Sequence, residues 1–323
     1  MKIGIVGAGT IVPDFLETCK KITQIEVQCI SALESVRDIL LDLQKKHQIK
    51  NVFTDYEELL NDDIETVYVA VPNHLHYQFA KEALKHKKHV ILEKPFASNH
   101  SQAKELIELA NKNNLVIFEA ISNQYLPNYF KTKELLKDLG DMKLVQLNYS
   151  QYSRRYDMFK EGMVLPVFDP KQSGGALMDI NVYNIHFIVG LFGKPTKITY
   201  IANVERGIDT SGILTLEYPT FQCVSIAAKD CKAPFVISLQ GDKGCIYSEH
   251  PANVYGKFTL STNEGVDTEY ELNDYRDRLL YEIEYFLKIV GEKDYETVKK
   301  LNDHTLDVME ILDMGRRQAG IEF

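Results

Sequence analysis

The sequence predicts an α/β protein in which a doubly wound parallel sheet precedes an α+β domain with a mostly antiparallel, open sheet. Three observations support this: an N-terminal strand that enters a glycine turn, an alternation of strands and helices up to residue 120, and a rapid succession of strands after residue 197. Strands separated by helices pair in parallel, whereas strands with short connections pair antiparallel. We therefore expect two domains, residues 1–121 and 122–323.

The composition limits the class of protein. A chain of 323 residues exceeds one average core, and the net charge of −9 argues against a nucleic-acid partner, which calls for a basic face. The five cysteines are scattered without CxxC spacing, as is typical of a reducing compartment. No apolar run approaches the roughly 18 residues of a membrane span. We expect a cytoplasmic protein that binds neither membranes nor nucleic acid.

The first domain alternates between uninterrupted apolar runs, which predict buried strands, and helical periodicity. The expected strands cover residues 2–6, 25–31, 66–71, 90–95 and 115–120. Helical patterns begin near Pro13 and cover 34–47, 56–60, 76–87 and 98–113. This order implies a parallel sheet with helices on both faces.

The second domain begins with a helical pattern at 128–139 and an alternating strand at 144–152, and a polar loop is expected up to Gln172. A double glycine then precedes a helix at 176–191. Strand-like runs follow at 197–203, 213–218, 221–227, 235–241, 245–248, 257–262 and 268–272, and helices at 275–290 and 296–319 end the chain. The domain is thus a sheet with helices on one side.

The stretch from Val90 to Pro95 ends an apolar strand in Glu93, Lys94 and a proline. Proline removes a ladder donor and ends the strand. Ligands of open α/β sheets bind outside the carboxyl ends of the strands, so this glutamate and lysine are candidates for chemistry. A surface ion pair is the alternative, and two further motifs decide against it.

The first motif is the turn that follows the N-terminal strand. Gly7 allows a tight turn and Gly9 allows the backbone to approach a pyrophosphate, with Thr10 and Ile11 at the start of the helix. The third glycine of the dinucleotide pattern is replaced by Val12.

The second strand ends at Ser31 and Ala32, where an acidic residue would hold the ribose of NAD. Glu34 or Arg37 could reach in from the next helix. The cofactor is therefore NAD or NADP, and the missing carboxylate favours NADP.

The second motif is the double glycine with the helix that it precedes. Asp179 and Tyr183 are four residues apart and share one helix face, and His186 lies on a neighbouring face. A zinc site at His74 and His76 lacks a cysteine or carboxylate to complete a tetrahedron, so we expect no metal.

Together, the glycine turn, the Glu93-Lys94-Pro95 strand end and the GG-x-L-x-D helix start resemble the family of glucose–fructose oxidoreductase, inositol dehydrogenase and their rhizopine-catabolism relatives (Gfo/Idh/MocA). The order and spacing fit over essentially the whole chain. The motif ends in histidine in most of the family and in Tyr183 here, which resembles the dihydrodiol dehydrogenase subgroup. Glu119-Ala120 followed by Pro127 resembles it too, whereas Asn181 replaces a glycine of the motif.

The resemblance implies a Rossmann domain and an NAD(P)-dependent oxidoreductase. Such an enzyme transfers a hydride between nicotinamide and a hydroxyl or carbonyl carbon of a sugar, polyol or diol-like small molecule. Tyr183 would be the acid–base group, Lys94 would supply charge and a hydrogen bond to the substrate oxygen, and Asp179 would orient the substrate or Lys94. A phenol in water titrates near pH ~10, and a neighbouring ammonium favours the phenolate.

Further contacts follow from the same resemblance. Residues implied at the cofactor are Val71, Pro72, Asn73, His76, Glu93 and Lys94, and candidates for substrate contact are Tyr152, Arg155 and His186. The open face of the second sheet would pair with another subunit, giving a homodimer or larger oligomer. A non-catalytic dinucleotide sensor with the same fold is the alternative, and the presence of both Lys94 and Tyr183 favours the enzyme.

Overall fold

A computed structural model describes residues 1–274 and 277–322 of the chain. It divides into two compact units, the first comprising Met1–Ala120 and Leu279–Leu306, the second Ile121–Arg278 and Asp307–Phe323. The sequence-based boundary at residue 121 assigns residues 279–306 to the second domain, whereas in the structure they group with the first. Side-chain packing explains this, because Phe286 packs edge-on against Phe118, with ring centroids 5.4 Å apart.

The first unit contains a parallel six-stranded sheet. Its strands are β1 (Lys2–Val6), β2 (Glu26–Ser31), β3 (Asn51–Phe53), β4 (Thr66–Val69), β5 (His89–Glu93) and β6 (Ile117–Ala120). The helices between them are α1 (Ile11–Cys19), α2 (Arg37–His47), α3 (Tyr56–Leu60), α4 (His76–Lys85) and α5 (His100–Asn113). The strand order is β3-β2-β1-β4-β5-β6, so the doubly wound parallel sheet is confirmed and its order reverses between β1 and β4.

Local sequence explains most of these bounds, and the exceptions are small. α5 begins at His100 rather than near 98, because the Asn99 side chain accepts the backbone N–H of Gln102 at 3.0 Å and so caps the helix. The strand β3 was not predicted. It has three residues, all half-buried, and therefore shows neither an apolar run nor an alternation.

The second unit contains an eight-stranded sheet. Its strands are β7 (Met142–Ser150), β8 (Lys197–Glu205), β9 (Ile208–Glu217), β10 (Gln222–Ala228), β11 (Val236–Gly241), β12 (Gly244–Ser248), β13 (Phe258–Thr262) and β14 (Asp267–Tyr270). The order is β14-β13-β12-β11-β7-β10-β9-β8. All neighbours pair antiparallel except β7 and β10, which confirms the mostly antiparallel sheet.

The remaining helices are α6 (Pro127–Leu135), α7 (Arg154–Lys160), α8 (Val182–Phe192), α9 (Arg278–Glu292) and α10 (Tyr295–Gln318). The helix expected at 275–290 corresponds to α9. Its first two expected residues, Tyr275 and Arg276, lie outside the described residues. The 24-residue helix α10 begins in the first unit and ends in the second.

The polar loop predicted up to Gln172 is wrong where α7 forms. The Ser153 side chain accepts the N–H of Arg155 and caps the helix. Tyr156 and Phe159, three residues apart, pack on Phe168, with ring centroids 5.7 and 5.0 Å away. The buried Phe159 and the partly buried Tyr156 thus anchor a helix whose other positions are mostly polar.

The segment that contains the double glycine and the helix after it is strongly apolar. Residues 170–192 are long and apolar enough to cross a bilayer by composition, but 78% of the most apolar window is buried inside the protein. This is the pattern of a core helix. The helix begins as a π-helical turn, Leu177–Asn181, which passes into α8.

Candidate active site

The carboxyl ends of β1 and β4 form the crevice at which a doubly wound sheet binds its ligand. Gly7 follows β1 with φ +117°, and its N–H donates to the Ser31 carbonyl at 2.8 Å. A Cβ on Gly7 would lie 2.1 Å from the Ala70 carbonyl oxygen, after β4. The glycine is therefore required by the close approach of three strand ends, which brings the predicted cofactor residues Gly7, Ser31 and Val71 into one region.

Gly9 is different, because the protein itself does not require a glycine there. A Cβ on Gly9 would meet only the Ala70 carbonyl oxygen, at an ordinary 3.8 Å. No side chain caps the start of α1, where Thr10 and Ile11 stand. A glycine that faces open space beside backbone N–H groups fits a bound pyrophosphate.

The end of β2 carries no charge that selects the cofactor by itself. Ser31 is buried, and Leu33 is exposed. Glu34 and Arg37 form an exposed ion pair with each other, 3.3 Å between Nη1 and Oε2. Arg37 thus lies in the segment that follows Ala32 and is already partnered.

The turn after β5 is held in place on both sides of Lys94. Tyr68 on β4 donates its hydroxyl to Glu93 Oε1 at 2.5 Å. This phenol is fully buried and stacks on Phe15 at 3.7 Å between centroids, and its pKa is raised well above the usual value by burial and by the neighbouring carboxylate. Glu93 is therefore oriented by a rigid, neutral donor.

His76 binds the turn from the other side. Its Nδ1 lies 2.8 Å from the Pro95 carbonyl and its Nε2 lies 2.9 Å from the Val71 carbonyl, and the residue is 1% exposed. Burial lowers the pKa of the imidazole to about 4. A neutral imidazole has a single N–H, so it donates to one of these carbonyls and packs against the other, and His76 lies between the β4 loop and the β5 turn. Direct contact with the cofactor, which the sequence suggested, is a role that this geometry does not favour.

Glu119 on β6 completes the support of this turn. Its Oε1 accepts the N–H of Phe96 at 3.1 Å, and its Oε2 accepts the Thr305 hydroxyl at 2.8 Å. Both partners lie in the first unit. The Lys94–Pro95 peptide bond is cis. The residues around Lys94 are therefore held by polar contacts from three different elements. These contacts are made by Glu93, Pro95 and Phe96.

The double glycine of the second unit makes room for a buried carboxylate. Gly175 has φ +100°, and a Cβ there would lie 2.0 Å from Asp209 Oδ1. The other oxygen of Asp209 accepts the Leu177 N–H and the Tyr200 hydroxyl, both at 2.7 Å. Burial raises the pKa of Asp209 to about 6. Asp209, which no sequence motif marks, therefore caps the helical segment that carries the predicted catalytic residues.

Tyr183 lies in the first turn of α8, directly after the π-helical turn that contains Asp179. The Asn123 side chain donates to the Tyr183 carbonyl at 2.8 Å. Asn181, which replaces the motif glycine, contacts the sheet, because its Oδ1 accepts the Ser225 hydroxyl at 2.6 Å on β10. The helix is thus fixed both by the segment after β6 and by the sheet.

Asp179 and Tyr183 have neighbours that sequence reasoning missed. Asp179 Oδ2 forms an ion pair with Lys229, at the end of β10. The Tyr183 ring lies 6.3 Å from that of Tyr149, which packs edge-on against Phe235 at 5.5 Å. Phe235 lines a cavity of about 490 Å³ together with Lys232, Ala233, Pro234 and Glu249. An aromatic row therefore leads from the phenol to an open cavity of the same unit.

The predicted substrate contacts differ in accessibility. Tyr152 is 37% exposed, and its hydroxyl lies 2.6 Å from Asp157 Oδ1. Arg155 is exposed at the start of α7. His186 is 0% exposed, and its carbonyl accepts the side chain of Gln124 at 3.0 Å. A fully buried imidazole offers no surface to a substrate, which argues against a direct substrate contact from His186.

The described part of the chain contains no cluster of side chains that could hold a metal ion. Within residues 1–274 and 277–322, no three His, Cys, Asp or Glu side chains gather as a metal site requires. Neither His74 nor His76 belongs to such a group among these residues.

A glycine turn at the switch point of a doubly wound sheet, with a supported lysine at the end of the fifth strand, defines a dinucleotide-binding oxidoreductase. Residues 1–121 match the oxidoreductase family with the NAD-binding Rossmann fold, and residues 130–247 match the GFO/IDH/MocA C-terminal domain. The chain belongs to the Gfo/Idh/MocA oxidoreductase family, as its motifs suggested, and it is an NAD(P)-dependent dehydrogenase or reductase.

Named relatives match most or all of the chain. It is 31% identical to the scyllo-inositol 2-dehydrogenase (NADP(+)) IolU of Bacillus subtilis (strain 168), over 100% of this chain and 98% of the relative. It is 28% identical to the trans-1,2-dihydrobenzene-1,2-diol dehydrogenase of Xenopus tropicalis, over 81% of this chain and 78% of the relative. The fold resembles that of KijD10, a 3-ketoreductase from Actinomadura kijaniata crystallised with NADP and TDP-benzene. The TM-score is 0.86 and the identity 18%, over 98% of this chain and 97% of the other.

The glycine turn gives the first testable prediction. Gly9→Asp places a carboxylate where open space faces the start of α1, so we expect loss of NAD(P) binding in calorimetry with the fold retained by circular dichroism. Gly291→Asp is the matched control, because a Cβ there meets nothing within 4 Å and its position lies in α9. Unchanged affinity in Gly9→Asp would remove the turn from the cofactor site.

The depressed pKa of His76 gives the second prediction. An unfolded histidine titrates near ~6.5, and the folded imidazole titrates at about 4. Between these values the unfolded state binds the extra proton, so the free energy of unfolding falls as the pH drops from 6.5 towards 4. His76→Gln should lose this part of the acid sensitivity in urea denaturation at pH 7.5 and pH 5.

Comparing the wild type with His76→Gln isolates the contribution of His76, because the other groups with shifted pKa values are present in both proteins. Burial lowers the pKa of His47 and His89 too, and the raised pKa of Asp209 acts in the opposite direction. Equal acid sensitivity of the two proteins would show that the imidazole is not held neutral between its two carbonyl partners.

Proposed function

We propose that the chain oxidises a secondary hydroxyl of a cyclic polyol or sugar to the carbonyl, or catalyses the reverse reduction, with NADP as the preferred cofactor. The observation that carries the proposal is the turn after β5. Glu93, Pro95 and Phe96 are bonded to Tyr68, His76 and Glu119, so the lysine between them projects from a preorganised backbone. Such preorganisation is what stabilisation of a developing oxyanion requires.

Three side chains carry the proposed proton chemistry. Tyr183 takes the hydroxyl proton as the alcohol becomes a carbonyl and returns it in reduction. Lys94 donates a hydrogen bond to the reacting oxygen and stabilises the negative charge that develops on it. Asp179 accepts a hydrogen bond from a second hydroxyl and orients the substrate. When bound, the nicotinamide accepts or supplies the hydride.

The preference for NADP rests on two supports. The end of β2 presents Ser31 and Ala32 instead of the carboxylate that holds the ribose of NAD and repels a 2′-phosphate. The relative that is 31% identical carries NADP(+) in its name.

The polyol class is supported by the relatives and by the neighbours of Tyr183. The same relative is named for scyllo-inositol, and another for a dihydrobenzene diol, and both substrates are six-membered rings with adjacent hydroxyls. The edge-on pair of Tyr149 and Phe235 offers an apolar surface beside the phenol. An aromatic surface and an ionised carboxylate together suit a ring that has C–H faces and hydroxyl edges.

The third prediction tests the reaction and its residues. Wild-type protein, assayed with inositol isomers, hexoses and vicinal diols, should change nicotinamide absorbance with at least one substrate and more strongly with NADP(H) than with NAD(H). Tyr183→Phe should reduce kcat by ~10²–10⁴-fold, as is common for loss of a general acid or base. Lys94→Met should reduce it by ~10²–10³-fold, as loss of an oxyanion donor does.

The variants also test whether the two side chains act together. The double variant should be scarcely slower than the slower single one, because residues that act as a unit are not additive. Tyr183→Phe should keep cofactor affinity and lose one limb of the pH profile of kcat. Lys104→Met is the control, since this lysine is exposed on α5 and 4.0 Å from Glu108. Turnover of Tyr183→Phe at nearly the wild-type rate would disprove the acid–base role.

A dinucleotide sensor is the second candidate, and the same assay separates it. Calorimetric binding of NADP(H) without turnover of any member of the panel would favour the sensor. The complete set of Lys94, Asp179 and Tyr183 favours the enzyme, because a sensor does not need them.

We also propose a homodimer that forms through the outer face of the second sheet. Ile201 and Ile213 are partners on β8 and β9 and are 68% and 45% exposed, and Ile226 on β10 continues the row. Leu144 and Tyr247, on β7 and β12, are 52% and 41% exposed. Contiguous exposed apolar surface marks an interaction site, and a flat sheet face can pair with its own copy around a twofold axis.

The fourth prediction concerns this assembly. The wild-type protein should sediment as a dimer or larger oligomer at micromolar concentration, and Ile213→Lys should shift it towards the monomer, because each interface would then bury two extra charges. Val266→Lys, at a 58% exposed position in the turn between β13 and β14, should leave the mass unchanged. A monomeric wild-type mass would contradict the proposal.

We also propose that the enzyme is cytoplasmic. The five cysteines are free in the structure, three of them buried, as a reducing compartment allows.

A further inference from the structure

Lys229 is a buried lysine that no sequence motif marks. It follows Ala228 at the end of β10, and the residue is 5% exposed. Its ammonium forms an ion pair with Asp179 Oδ2, where the two side chains are 6% and 26% exposed. The pair therefore has a buried end on the lysine and a partly accessible end on the aspartate.

The backbone of Lys229 is fixed on both sides. Its N–H donates to the Thr210 carbonyl at 2.8 Å, and its carbonyl accepts the Ser153 N–H at 2.9 Å. The hydroxyls of Thr210 and Ser211 both donate to Asp230 Oδ2 at 2.7 Å. The main chain at Lys229 thus links β9 to the segment that precedes α7, which fixes the point from which the side chain extends.

A buried ammonium is unfavourable unless it is partnered. Lys229 has the Asp179 carboxylate and, 5.8 Å from its ammonium, the face of Phe168, which is within the range of a cation–π contact. Replacing the pair with two apolar residues would often cost nothing in stability. The pair is therefore better explained by what it does to Asp179 than by its contribution to folding.

We propose that Lys229 is a positioning residue for the reaction: it pairs with Asp179 and holds its carboxylate in the orientation that accepts a hydrogen bond from the substrate. This rests on the proposed function, in which Asp179 orients a second hydroxyl. The π-helical turn that contains Asp179 is held at its start by Asp209, and Lys229 holds the side chain itself. Lys229 does not touch the reacting atoms in this role.

The fifth prediction is the test of this role, and it uses the full-length protein with the substrate found in the panel. Lys229→Met should reduce kcat/KM roughly ten- to hundredfold, because small misplacements of an orienting group have effects of this size. The affinity for NADP should be unchanged, since the pair lies in the second unit. Lys229→Arg, which keeps the charge, should restore part of the loss. Lys257→Met, which breaks an exposed ion pair with Glu269 at 2.8 Å, is the matched control.

A double-variant cycle distinguishes positioning from a purely structural effect. If Lys229 acts through Asp179, Lys229→Met combined with Asp179→Asn should be no slower than Asp179→Asn alone. Multiplied losses, or a wild-type kcat/KM in Lys229→Met while Asp179→Asn is impaired, would overturn the inference and leave the proposed function intact. Full activity of Asp179→Asn and Tyr183→Phe, or no turnover by the wild type, would overturn the proposed function and this inference with it.

Discussion

The backbone of the β5 turn is the constraint on which the rest of the first unit depends. Three polar groups from β4, α4 and β6 bind successive residues around Lys94: the Tyr68 hydroxyl, the His76 imidazole and the Glu119 carboxylate. Each is buried, so leaving a partner of one of them unsatisfied would be costly. A lysine is flexible by itself, and a fixed Cα limits where its ammonium can be placed.

Much of this architecture could be predicted from sequence because its signals are local. Apolar runs marked five of the six strands of the first sheet, and the double glycine marked the start of the core helix. Gly7 was predicted for the correct reason, since a tight turn leaves no room for a Cβ beside the Ala70 carbonyl. The helix α7 was missed because its two aromatic anchors are too few for a periodic pattern. The strand β3 was missed because three half-buried residues show no pattern at all.

The supporting residues could not be predicted, since each acts across a long sequence separation. Asp209 caps a segment 32 residues earlier, and Lys229 pairs with a residue 50 positions away. A solitary aspartate or lysine at the end of a strand has no periodicity, and its chemistry depends on burial, which sequence does not give. His76 was predicted near the cofactor from its motif, but only the structure shows that both of its nitrogens lie within 2.9 Å of carbonyl oxygens.

These supports bear on how an enzyme and a sensor of the same fold can be told apart. A motif lysine or tyrosine survives in a sequence whenever its position is tolerated, but its function needs a fixed backbone and an oriented partner. In this chain Lys94 has such support from Tyr68, His76 and Glu119, and the Asp179–Tyr183 segment has it from Asp209 and Lys229. A protein that only bound a dinucleotide would need the glycine turn but would gain nothing from burying a lysine against Asp179. Costly buried polar contacts at both places are therefore a stronger argument for catalysis than the motif residues alone.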